Sequence, residues 1–183
     1  TCVMRRIPIS VSFALMALGT GTSCERVADV SSPLSYAKEG ISFLYPGNWK
    51  IEDDENLEGT TFLSVESPGD ALFLVMESPD EGTETLQEFV KSFSENFGGE
   101  IPIGTVEKPT SSDIQRKGKT GQLRGIRQRI EISLLGERTS FIQEFFAVKA
   151  SGKIAFLVCQ SPEEDFDKTE PAFDQIIGSF KYK

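Results

Sequence analysis

Three cysteines, one acidic run, one basic stretch and the absence of histidine define the chemistry open to this chain. Without histidine there is no Ser-His-Asp triad, no Cys-His dyad, no His-containing zinc site and no imidazole base near neutral pH. Of the thiols, Cys2 precedes Met4-Arg5-Arg6, which reads as the translational start. Cys159 lies between Val158 and Gln160 in an apolar run, where a buried, inert thiol is expected. If Cys24 is modified, Cys159 stands alone and no intramolecular disulfide can form. The acidic run Glu52-Asp53-Asp54-Glu55 with Glu58 lacks the spaced oxygens and sharp glycine turn of a calcium loop, so it is expected to be a solvated loop. Glu163, Glu164, Asp165 and Asp167 suit a helix start. Gly118-Lys119-Thr120-Gly121 lacks the spacing of a phosphate loop. No catalytic set, metal site or cofactor site is expected.

The basic stretch holds Arg116, Lys117, Lys119, Arg124, Arg127 and Arg129, with no acid between Arg116 and Ile130. Arg127 and Arg129 should project from one exposed strand face, so reversing their charge should leave folding nearly intact. Arg124, Arg127 and Arg129 are therefore the candidate contact for an acidic partner or anionic headgroups. The alternative is a solvated face that balances nearby acids. The formal net charge of the 183-residue chain is -9, which argues against nucleic acid as a partner.

The first residues follow the order of an export signal: Arg5-Arg6, an apolar run from Ile7 to Leu18, then the small residues Gly19 to Ser23. The run is too short to cross a bilayer, which takes about 20 residues. Gly21-Thr22-Ser23-Cys24 resembles the lipobox of bacterial lipoproteins, in which the cysteine thiol takes a diacylglycerol. It departs from that pattern in carrying Gly21 where leucine is usual. These residues predict an export signal over 1–23, a tether over 24–33 and a single domain over 34–183. The protein is expected outside the cytoplasm of a bacterium, anchored to the membrane surface through lipid on Cys24. Ordinary signal cleavage beside an incidental cysteine is the alternative.

With 38% hydrophobic and 26% charged residues, the domain can bury a core. Ile41 to Leu44 reads as a strand, followed by a Pro46-Gly47 type II turn and Trp49, a lone tryptophan expected in the core. Thr61–Ser67 and Asp70–Ser78 read as a hairpin around Pro68-Gly69. Leu86, Phe89, Val90, Phe93 and Phe97 form one helical stripe, with Thr85 and Glu88 as a capping box and Gly98-Gly99 as the stop. A weak strand is expected around Ser111–Arg116. Three meander strands follow over Gln122–Leu135, Arg138–Lys149 and Ile154–Cys159, with turns at Gly136-Glu137 and Ser151-Gly152. The last two strands are apolar on both faces and need cover on both sides. Ser161 is expected to cap a short turn ahead of a helix from about Thr169, with Pro171 as the obstacle to an earlier start, and Phe180-Lys181-Tyr182 a final short strand.

The opening GISFLYPGNWKI (Gly40–Ile51), the mid-chain helix, the long meander and the ending Ile177-Gly178-Ser179-Phe180-Lys181-Tyr182 resemble the PsbP-like superfamily. The resemblance spans Leu34 to Lys183. It implies an α+β fold, an antiparallel sheet sandwiched between helices, and accessory or assembly proteins without enzymatic activity. The residues by which photosynthetic members act find no match. The function expected is thus a membrane-tethered interaction protein with an unidentified protein partner. The alternative is a lipoprotein that holds a small apolar ligand between sheet and helix.

Overall fold

Two neighbouring strands with apolar side chains on both faces form the middle of the structure, and the rest of the chain is arranged to cover them. The computed structural model describes residues 27–57, 59–82, 84–99, 104–134 and 137–183. The export signal, Cys24, Glu58, Gly136 of the turn expected after Leu135, and the side chains of Phe97 and Leu134 lie outside what is described.

The described elements run β1 (Leu34–Lys38), β2 (Ile41–Tyr45), β3 (Lys50–Leu57), β4 (Thr60–Glu66), β5 (Leu72–Pro79), α1 (Leu86–Gly99), β6 (Gly104–Val106), β7 (Thr110–Gly118), β8 (Gly121–Leu134), β9 (Glu137–Ala150), β10 (Lys153–Pro162), α2 (Phe166–Ser179) and β11 (Lys181–Tyr182). The main sheet has the order β3-β4-β5-β10-β9-β8-β6, with β7 also on β8; a small sheet has the order β1-β2-β11. Every pairing is antiparallel.

The two-residue period of a strand divides β9 and β10 between two apolar clusters. Phe145, Ile154, Phe156 and Val158 pack with Phe89 and Val90 of α1. Phe146, Ala155, Leu157 and Cys159 pack with Phe173, Ile176 and Ile177 of α2, and with Tyr36, Phe43 and Trp49. Both central strands do require cover on both faces. The cover is less helical than a sheet sandwiched between helices implies. Each face receives one fourteen-residue helix, and on the α2 face the small sheet joins the same core.

α1 is legible in its sequence. The Glu88 amide and the Thr85 hydroxyl form one arm of the expected capping box at 3.2 Å, and the Thr85 amide donates to Glu88 Oε2 at 2.8 Å in the other. Phe89 stacks on Phe156 with ring centroids 4.1 Å apart. Phe93 is only partly buried at the edge of the cluster, against Phe145.

Several local expectations are corrected. The acidic run is not a loop: Glu52 to Glu55 lie on β3, the exposed edge of the main sheet. An edge strand needs no buried face, so apolar alternation did not mark it; its acids also oppose pairing with another chain. Gly47 does not take the positive φ of a type II turn. The Trp49 amide donates to the Pro46 carbonyl, so the turn falls one residue later. Glycine is required at position 47 because a Cβ there would sit 2.3 Å from the Ser32 carbonyl oxygen. Ser161 does not cap a helix. It is buried at the end of β10 with its Oγ 2.8 Å from Thr169 Oγ1, and a 3-10 turn over Glu163–Asp165 leads into α2. α2 begins at Phe166 and runs through Pro171. That proline is exposed, so the carbonyl it leaves unpaired can turn to water.

Val27 to Ser32, within the stretch expected to be a tether, is held against the domain. The Ala28 amide donates to the Lys168 carbonyl at 3.2 Å and the Gly47 amide to the Asp29 carbonyl at 3.0 Å. Asn48 and Gln175 side chains each donate at 2.8 Å, to the Val27 and Val30 carbonyls respectively.

Truncating Phe89 to alanine removes a stacked ring under α1 and should cost about 3–5 kcal/mol in urea unfolding, with Phe93→Ala costing clearly less. Equal losses would mean that α1 sits differently on the sheet.

Candidate functional site: a buried ionic cluster beneath a basic arm

Glu144 sits in the middle of β9, fully buried, in a run otherwise made of apolar residues and Gln143. An isolated carboxylate there would cost several kcal/mol in lost hydration. Two arginines answer it. Arg116 of β7, 6% exposed, donates from Nε to Glu144 Oε2 at 2.6 Å and from Nη2 to Oε1 at 3.1 Å. Arg127 of β8, directly opposite Glu144 in register, donates from Nε to Oε1 at 2.8 Å. The Arg127 guanidinium also lies 5.1 Å from the centroid of the Phe166 ring. α2 closes the cluster from outside: Arg116 donates to Asp174 at 2.5 Å and to Glu170 at 3.2 Å. The cluster therefore ties β7, β8 and β9 to α2.

Burial alone would favour the neutral form of Arg116. The Glu144 hydrogen bond, followed by the charge of Glu144 and smaller contributions that include Asp174, outweighs it and holds the guanidinium more firmly charged than usual. Cys159 faces Glu144 across the β9–β10 pair. Burial pushes its thiol up, and the charge of Glu144 adds to the effect, so this cysteine lacks the electropositive setting of a reactive thiolate.

The strand period puts Arg116, Arg127 and Arg129 on one face of β7 and β8 and Lys117 and Arg124 on the other. Arg116 and Arg127 turn inward, toward α2. Arg129 remains at the surface, held to Glu163 with Nε donating at 2.9 Å, and that guanidinium lowers the Glu163 carboxyl below its ordinary range. A shallow groove of about 330 Å³ lies beside this pair, lined by Arg138, Thr139, Ser140, Glu163 and Glu164. Arg124 is exposed and shares the outer face of the β7–β8 hairpin with Lys117, since it pairs with Gln115. Lys119 stands at the exposed hairpin tip. The structure thus separates Arg124 from Arg127 and Arg129.

The hairpin departs from the sheet at Gly125. From that residue onward β8 pairs with β9; ahead of it, Gly121 to Arg124 pair with β7 alone. A Cβ at Gly125 would meet the Phe145 carbonyl at 2.3 Å and the Phe146 ring at 2.5 Å, so glycine permits the close crossing where the arm begins. Two buried carboxylates escaped sequence reasoning: Glu144, and Glu77, which accepts from Lys153 at 2.6 Å. The signal was present for Glu144, as a charge inside a strand apolar on both faces.

Among the described residues, no three His, Cys, Asp or Glu side chains converge to hold a metal ion, and no helix is long and apolar enough to cross a membrane.

Charge reversal at Arg127 would set a carboxylate against buried Glu144, so the expectation of near-neutral folding fails there. Arg127→Glu and Glu144→Gln should each cost about 3–5 kcal/mol in urea unfolding. Arg129→Glu, at an exposed pair, should cost under about 1 kcal/mol. Similar losses at positions 127 and 129 would show that the cluster is not a buried lock.

No protein-family model matches the chain, and no curated protein matches it. Solved structures do. The solution structure of cyanobacterial PsbP (CyanoP) from Synechocystis sp. PCC 6803 aligns at a TM-score of 0.54 and 16% identity, over 91% of this chain and 99% of that one. LpqN of Mycobacterium tuberculosis, described as involved in cell envelope biogenesis, aligns at 0.45 and 12% identity, over 82% of this chain and 88% of that one. At such identities the likeness is one of fold, and the fold of this chain is that of PsbP.

Proposed function

We propose that this protein is an exported, lipid-anchored accessory protein that acts by contact with a protein partner and without chemical turnover. The observation that carries the reading is the division of its charged groups. Those that could do chemistry in a low-dielectric setting, Arg116, Glu144 and Cys159, are engaged inside the fold. Within the basic stretch, Arg129 is exposed but held to Glu163, and the exposed Lys117, Lys119 and Arg124 are gathered on an arm that stands off the main sheet. On a chain of net charge -9 such an arm is the natural contact for an acidic surface. The PsbP-type fold supports the reading, since the superfamily it resembles includes accessory and assembly proteins alongside members of no known role.

A small apolar ligand held between sheet and helix is the weaker alternative. The space under α1 is filled by the rings of Phe89, Phe145 and Phe156, and that under α2 by Trp49, Phe173 and Phe146.

Reversing all three arm cations, with Lys117→Glu, Lys119→Glu and Arg124→Glu together, tests the proposal. Recovery of the native partner from membranes should fall sharply, most at low salt, while the urea midpoint stays close to that of the parent protein. Unchanged recovery would remove the arm as the contact. Saturable turnover of any substrate, lost with Cys159→Ala, would overturn the non-enzymatic reading.

A further inference from the structure

The main sheet ends in two unlike edges. β3 is blunted: its ladder on β4 shifts register between Ile51 and Asp54, the Asp53 amide donates to the Ser64 hydroxyl at 3.0 Å, and the acids Glu52 to Glu55 line the strand. β7 has none of these devices over its first half. It pairs with β8 along all nine residues without a bulge, contains no proline, and exposes Thr110 to Asp113 and Gln115. The two-residue turn Lys119-Thr120 makes Gly118 and Gly121 a hydrogen-bonded pair. By alternation, Ser111, Asp113 and Gln115 turn their backbone amides and carbonyls away from β8. Among the described residues no other backbone segment bonds them. The edge closes at Lys117, where a Cβ on Gly178 of α2 would stand 3.5 Å from the Lys117 carbonyl oxygen.

An open edge of this kind is a template for another strand, and main-chain hydrogen bonds supply the hold. The side chains around it select which strand. Lys117 and Lys119 stand beyond Gln115, and Arg124 pairs with Gln115 on β8. These cations repel the same edge of a second copy and draw acids. Asp113 favours a neutral neighbour. On the opposite face of β7, Ile114 packs against the core, and Glu170 and Asp174 of α2 stand close by on Arg116, so an apolar residue fits there and an acid does not. We propose that β7 takes up an extended segment of the protein partner as an added antiparallel strand, with acids opposite Gln115 and Lys117 and an apolar residue opposite Ile114. This rests on the proposed function and deepens it: the arm cations select the strand, and the backbone of Ser111 to Gln115 binds it.

The test titrates the peptide acetyl-Glu-Thr-Glu-Val-Thr-Val-Thr-amide into the full-length protein in detergent micelles and follows the protein's backbone amide resonances. Binding should be saturable and should shift the amides of Ser111, Asp113 and Gln115 most. Methylating the backbone nitrogens of the second glutamate and the middle threonine, which face β7 in this register, removes two hydrogen bonds and should weaken binding about tenfold or more. Lysine in place of both glutamates should weaken it as well. Saturable binding that methylation leaves unchanged would overturn strand addition and leave the arm standing as a side-chain contact. No shift at Ser111 to Gln115 with millimolar peptide would overturn this inference alone, since recovery of the native partner with the arm reversed decides the proposed function separately.

Discussion

A carboxylate buried in the middle of the main sheet constrains much of the rest. Glu144 has no solvent, so its charge must be met from the neighbouring strands and the helix above. Arg127 can reach it because β8 and β9 bring those two residues into register. Arg116 reaches it from β7, one strand further out, along the guanidinium fork that suits a carboxylate. Glu170 and Asp174 of α2 then share the surplus positive charge and seat the helix over the cluster. An assembly of this kind is a poor source of net stability but a strong penalty on any arrangement that breaks it. It specifies how the β7–β8 hairpin, β9 and α2 fit together, where apolar packing alone would tolerate small slips.

The same constraint explains the shape of the outer surface. On β7 and β8 every second residue points inward, so committing Arg116 and Arg127 to Glu144 leaves Lys117 and Arg124 on the opposite face. The arm that carries them is made possible by Gly125, where the backbone crosses too close to Phe145 and Phe146 for any side chain. Lysine and arginine on an edge hairpin also discourage strand addition by another copy. On the far edge, the acids of β3 serve the same purpose with the opposite sign. Asp54 among them bonds Lys38 at 2.8 Å and so links the small sheet to the main one.

Much of the fold was legible in the sequence, where a local pattern has a single physical reading. The two-sided apolar strands, the Ser151-Gly152 turn with both residues at positive φ, and the capping box at Thr85 and Glu88 are of this kind. The partners of the arginines were not legible, because they depend on register between strands far apart in the chain. Arg116 and Glu144 are 28 residues apart, and Arg116 and Asp174 are 58. A run of basic residues on a strand looks solvated until the buried acid across the sheet is found. The acidic run on β3 was missed for the complementary reason: an edge strand with both faces in water shows no hydrophobic period. The Val27–Ser32 segment looked like a tether because its attachments run mostly through backbone atoms and two amide side chains, which leave no mark in hydropathy.

Glu144 acts as the lock between the arm, the sheet and α2. A double-mutant cycle in urea unfolding measures this directly, with Arg116→Met and Glu144→Gln singly and together, beside the same cycle at exposed Arg129 and Glu163. A coupling above about 1.5 kcal/mol for the buried pair, against less than about 0.5 kcal/mol for the exposed one, is the predicted result. Equal, small couplings in both cycles would contradict it.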